Sequence, residues 1–127
     1  MSTPINLLKA LETVDAHWSP RVVGRVNDQY IKVAKVKGQL VWHAHPDEDE
    51  MFLVLYGQLK IELEDGVITL GPGECYTVPK GVRHNPVADE ECGIVLIETV
   101  TTLHTGDAND DRAVSLDEQL SGFAGNG

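Results

Sequence analysis

Two histidines stand one residue apart in the stretch VWHAHPDEDEMFLVLYG, at His43 and His45, and a glutamate, Glu50, follows His45 five residues later. Imidazole nitrogens and a carboxylate oxygen are the donor set of a divalent transition metal: imidazole suits Zn, Cu, Fe or Ni, and one hard oxygen also admits Mn. A third histidine, His84, comes from GPGECYTVPKGVRHNP, where Pro79 and Gly81 set a turn just before it and can aim it back inside. Three neutral nitrogens and one carboxylate leave a divalent centre at a net charge of about +1, which favours bound hydroxide, enolate or carboxylate. An octahedral ion on these four ligands keeps two positions open, enough for a bidentate substrate or for substrate plus O2. A tetrahedral zinc would have its shell closed by the same four, and the role becomes structural.

Such a site needs elements that aim the donors at one point. On a strand, residues i and i+2 share a face, so LVWHAH as a strand would send His43 and His45 inward and Trp42 and Ala44 outward. MFLVLY would then return antiparallel to it, carrying Glu50 to the imidazoles. Alternation from Glu50 puts Phe52 and Val54 on the same inward face, where they line a substrate pocket or simply pack the core. VVGRVN, YIKVAKV, QLKIELE, VITL, CYTVP and GIVLIETV are further short β-branched runs, mostly separated by Gly, Pro, Asp or Asn. Asp65-Gly66 reads as a tight hairpin turn, so the pairing is expected to be antiparallel. Thr3-Pro4 before INLLKALETV predicts one amphipathic helix from Pro4 to Val14, with Leu7, Leu8, Leu11 and Val14 on one stripe. The tail HTGDANDDRAVSLDEQLSGFAGNG is polar and glycine-rich, with SLDEQL making a helical turn or two capped by Ser115 and loose residues at the end. The expected division is a helix and lead-in over 1–20, an all-β antiparallel barrel or sandwich over 21–104 and a polar tail over 105–127.

Composition restricts the partners. A chain of 127 residues, 42% hydrophobic, builds one core of ordinary size. Its formal charge of −10 repels phosphate backbones and anionic lipid, which argues against nucleic acid and membrane surfaces as partners. No apolar run approaches the ~20 residues of a membrane span, and the start lacks a secretory pattern, so cytoplasmic residence is the default expectation. Cys75 and Cys92 lack a C-x-x-C spacing and read as reduced, mostly buried thiols. Asp47, Glu48 and Asp49 read as a solvated loop at a barrel mouth, and Lys80 and Arg83 as a solvated turn in preference to an anion site. His17 and His104 fall outside the ligand spacing. Glu98 interrupts the apolar run IVLIETV and is either at a wet strand end or a pocket acid.

The chain resembles a small single-domain cupin. The pattern G-x5-H-x-H-x3,4-E-x6-G is met by His43, His45, Glu50 and Gly57, with Gly38 one residue closer than the pattern asks; G-x5-P-x-G-x2-H-x3-N is met by Gly73, Pro79, Gly81 and His84, with Ala88 in place of the closing asparagine. The N-terminal helix and the Trp18-Ser19-Pro20 segment are similar to small bacterial cupins labelled mannose-6-phosphate isomerase-like. The resemblance implies a jelly-roll β-barrel holding one divalent metal (Fe, Mn, Ni or Zn) on His43, His45, Glu50 and His84. It further implies a dioxygenase or isomerase acting on a small anionic or enolisable substrate. The alternative is a non-catalytic sugar- or small-molecule-binding module with a structural metal. It also implies a homodimer, formed by packing or exchanging N-terminal strands.

Overall fold

β-Branched runs punctuated by turn formers leave the middle of the chain no helical option. The computed structural model, described over residues 3–123, has seven strands and two short helices: α1 (Leu7–Glu12), β1 (Arg21–Val26), β2 (Gln29–Gln39), β3 (Glu50–Tyr56), β4 (Leu59–Leu63), β5 (Gly66–Leu70), β6 (Cys75–Val78), β7 (His84–Thr99) and α2 (Leu116–Gln119). All the strand pairs are antiparallel. The fold is thus the expected all-β barrel with a short N-terminal helix.

β7 organises it. Its 16 residues serve two groups of partners: residues 93–98 lie between β2 and β3, while residues 84–87 pair with β4. The order β1-β2-β7-β3-β6 follows, with the β4-β5 hairpin attached to the other half of β7. Inward-facing side chains of both halves, among them Val36, Phe52, Val54, Leu59, Ile61, Ile94 and Leu96, form one buried cluster inside the barrel. A second cluster lies on the outer sheet face, where Leu11 and Val14 cover Val33 and Val95.

Several local expectations are corrected. Helix α1 starts at Leu7 because the Asn6 side chain accepts the Lys9 N–H and caps it; Thr3 and Pro4 lie outside it. Residues 40–45 form no strand: their ladder pairing with the barrel is one isolated bridge between His43 and His84. β3 therefore returns against β6 and β7, not against LVWHAH. The β4-β5 turn is Glu64-Asp65, with Gly66 already in β5 opposite Leu63. Cys92 is buried as expected, but Cys75 is exposed, and both are free. Ser115 does cap α2, and the stretch 101–119 is tied to the barrel by contacts described below; the last residues of the tail, 124–127, lie outside the described residues. Among the described residues no helix is long and apolar enough to cross a membrane.

Gly57 is required by close approach. It adopts φ +82°, and a Cβ there would meet the Glu91 carbonyl oxygen at 2.7 Å and Cys92 Cα at 2.9 Å, both backbone atoms that cannot swing aside.

Candidate metal centre

Four side chains from three separate segments converge. His43 and His45 come from the irregular 40–45 segment, Glu50 opens β3 and His84 opens β7. One donor atom of each lies within 4.8 Å of those of the others, and all four residues are buried. The irregular segment is docked by a reciprocal pair of backbone bonds, His43 N to His84 O at 3.0 Å and His84 N to His43 O at 2.9 Å, which sets their rings 4.4 Å apart. Gly81 N donates to His45 O at 2.9 Å, so the turn expected before His84 also holds the second histidine.

Hydrogen bonds orient the imidazoles. His43 Nδ1 donates to Val41 O at 2.8 Å and His84 Nδ1 to Val82 O at 3.0 Å, each bonding the carbonyl two residues back. In the neutral ring this leaves Nε2 as the lone pair, and a backbone carbonyl on the other nitrogen is the support that metal-bound histidines usually have. His84 Nε2 and both nitrogens of His45 are buried without a hydrogen-bond partner. Glu50 Oε1 lies 3.4 Å from His45 Nε2 and from His84 Nε2. Unpartnered buried nitrogens around one carboxylate are costly unless something shared binds them, and the donor chemistry fits one divalent ion.

Electrostatics separate the members. Burial lowers His43 from 6.5 to about 4, which keeps it a neutral base. Burial also works against protonating His45, but the Glu50 carboxylate outweighs it and the net shift is upward. Burial would raise Glu50, yet its contacts with His45 and His84 hold it well below the usual carboxylate range.

Beside the cluster is a cavity of about 30 Å³, lined by His43 and Glu50 on one side and by Trp18, Leu40, Phe52, Ile94 and Leu96 around it. That is room for about one or two waters. Phe52 forms part of this wall, whereas Val54, fully buried, belongs to the core cluster behind it.

Glu98 also lines the cavity. It is 3% exposed, so it is a pocket acid and not a wet strand end. Its counter-ion is Lys32, 1% exposed, with Nζ 2.9 Å from Glu98 Oε1; the same ammonium donates to Gln119 Oε1 on α2. Burial, then the facing Glu50 charge, push Glu98 well above the usual carboxylate range. Lys32 was legible in principle: in YIKVAKV it shares the phase of Ala34 and Val36, so alternation sends it inward.

Of the remaining polar residues, His104 lines the cavity without joining the four donors. Its Nδ1 accepts the Val114 N–H at 2.9 Å, so in the neutral ring Nε2 carries the proton and is a donor. Burial lowers it to about 4. His17 is at the surface, paired with Glu91 at 2.9 Å. Asp49 accepts the Lys80 N–H and Glu48 the Thr101 hydroxyl, so part of the acidic loop ties the barrel mouth together. The Lys80 and Arg83 side chains are exposed.

Comparison with known proteins adds the lineage. Residues 30–100 match the cupin domain family. The chain is 48% identical to a cupin-2 domain containing protein from Shewanella frigidimarina NCIMB 400, whose crystal structure superposes with a TM-score of 0.73 over 75% of this chain and 93% of that one. It is 35% identical over 85 residues to the uncharacterized protein YdbB of Bacillus subtilis (strain 168), covering 66% of this chain and 75% of that protein. Hydroquinone 1,2-dioxygenase from Sphingomonas sp. TTNP3 matches at 18% identity with a TM-score of 0.62, covering 74% and 72% of the two chains, a likeness of fold.

Proposed function

The chain belongs to the cupin domain family, and from that premise we propose that it is a mononuclear metalloenzyme of dioxygenase or isomerase type. His43, His45, Glu50 and His84 hold the ion, and the substrate is a small molecule with an anionic or enolisable oxygen. The observation that carries the reading is the set of buried, unpartnered nitrogens on His45 and His84 around Glu50.

When bound, a divalent ion supplies Lewis acidity and a site for an oxygen ligand of the substrate. The protein's own residues do the rest. Trp18, Leu40, Phe52 and Leu96 give the cavity beside the ligands an apolar wall. Glu98, pushed toward its protonated form by burial and then by the Glu50 charge, stands at the cavity wall, where it can exchange a proton with a substrate oxygen or carbon. The Nε2–H of His104 offers a hydrogen bond to an acceptor atom in the same cavity.

A second reading has one observation in its favour. The cavity is only about 30 Å³, and four protein ligands close the shell of a tetrahedral zinc; a binding module with a structural metal would look the same.

Elemental analysis of purified protein, followed by an oxygen-uptake and proton-exchange screen against small enols, diketones and phenols, tests both readings. About one equivalent of metal and turnover of one of these substrates supports the enzyme. Metal without turnover across the screen favours the binding module. Substituting His84→Ala should remove most of the metal and His104→Ala should leave it; full occupancy in His84→Ala rules out the ligand assignment.

A further inference from the structure

We infer that the segment following the cupin barrel is a working part of the metal centre, with Asp107 the positioning residue for the His43–Ala44–His45 pair. This rests on the metal reading above and adds a residue that lies beyond the 30–100 region matching the family.

Ala44 joins the two histidines, and its backbone sets the angle between their rings. Both of its polar backbone groups are held by one residue: Ala44 N donates to Asp107 Oδ1 at 2.8 Å, and Asp107 N donates to Ala44 O at 2.9 Å. Segment 40–45 has no ladder to do this work, because its bridge to β7 is confined to His43. Without Asp107, Ala44 N and Ala44 O would both lose their protein partners, and the backbone between the two histidines would be held on its His43 side alone.

Gly106 brings the strap into contact. It adopts φ +55°, and a Cβ there would collide with the Ala44 carbonyl oxygen and come within 2.9 Å of His43 Cδ2. A side chain at this position would push the strap away from the ring it braces. Further along, Arg112 secures the strap: its Nη1 donates to Gln39 O at 2.7 Å and its Nη2 to Leu40 O, just upstream of the histidines. The strap ends in α2, whose Gln119 accepts from Lys32, the partner of Glu98. Residues 104–119 thus touch the cavity, the histidine pair and the buried ion pair in succession.

A positioning role differs from a simple clasp in what it controls. A clasp contributes to stability alone, whereas a support behind metal ligands typically changes affinity by about 10- to 100-fold. The experiment measures Co(II) affinity by chelator competition, with the Co(II) absorption spectrum, on the full chain and on Asp107→Ala, Asp107→Asn and Gly106→Ala, alongside melting of each metal-free protein. Asp107→Ala and Gly106→Ala should each weaken Co(II) by about 10-fold or more and alter its spectrum. Asp107→Asn, whose amide oxygen can accept the same Ala44 bond, should keep affinity within about threefold. Asp107→Ala with unchanged affinity and spectrum overturns the proposal even if it melts lower, and so does failure of both Asp107→Ala and Gly106→Ala to fold, which would assign the strap to folding. If the unsubstituted chain binds no Co(II), the metal reading itself fails, an outcome distinct from equal binding by chain and variant.

Discussion

Glu50 and Glu98 stand directly opposite one another in the β3–β7 ladder, both facing the barrel interior, and Lys32 on β2 supplies the compensating charge. Two facing carboxylates cannot both ionise cheaply when buried, so they divide the roles: Glu50 keeps its charge for the histidines and Glu98 is pushed toward holding a proton.

Lys32→Met should therefore destabilise the protein by about 3 kcal/mol, since it removes the buried cation that compensates the negative charge of the facing Glu50 and Glu98 carboxyls. The double variant Lys32→Met/Glu98→Leu should recover much of that loss, because apolar residues of similar volume replace the pair. Urea unfolding of the three proteins checks this; a double variant no more stable than Lys32→Met alone would mean that the pair does not act as a unit.

Acid should destabilise the metal-free protein. His43 and His104 are each lowered from 6.5 to about 4, burial being the main cause. Between those values the unfolded chain takes up protons that the folded chain refuses, so this part of the stability is full above about pH 6.5 and is lost as the pH falls toward 4. His45, raised by Glu50, and Glu98, raised by burial and then by the Glu50 charge, act oppositely: their contributions are present at low pH and fade as the pH rises through their folded values. Melting temperatures of chelator-treated protein should fall across this range, and His104→Asn, which removes one of the two depressed groups, should flatten the curve. An unchanged slope in that variant would show that His104 is not a source of it.

Gly57→Ala should cost roughly 2 kcal/mol or more, combining a left-handed backbone with a collision against the Glu91–Cys92 main chain. Gly66→Ala, where nothing lies within 4 Å and φ is not positive, serves as the control and should be near neutral. Equal melting temperatures for the two variants would remove the steric argument.

Assembly as a homodimer is expected from β1, which among the described residues pairs with β2 alone, and from the half-covered apolar face that carries Ile31, Leu53 and Ile97. Light scattering at micromolar concentration should return twice 13.9 kDa. Val26→Lys, placing a charge at an exposed position on that edge, should shift the protein toward monomer. A mass of one chain that persists as concentration rises counts against the dimer.

The donor set, the β class and the inward phase of β3 were legible in the sequence because each is a local property. Residue type decides donor chemistry, and period-2 alternation decides which residues share a face, so His43, His45, Glu50 and His84 stood out and Phe52 could be aimed at the interior. Tertiary contacts decided the rest. Residues 40–45 look like a strand, but the long β7 takes β2 and β4 at that end as its partners, leaving the segment one bridge and no ladder. Glu98 could be resolved only once the fold buried it at the cavity wall, with Lys32, 66 residues away in the chain, 2.9 Å from its carboxyl. The tail's composition was that of a solvated segment, and composition cannot register that Asp107 bonds the backbone between two histidines or that Gly106 fits against one of their rings. Those are single contacts across more than 60 residues, and they form only when the barrel brings its mouth to the tail.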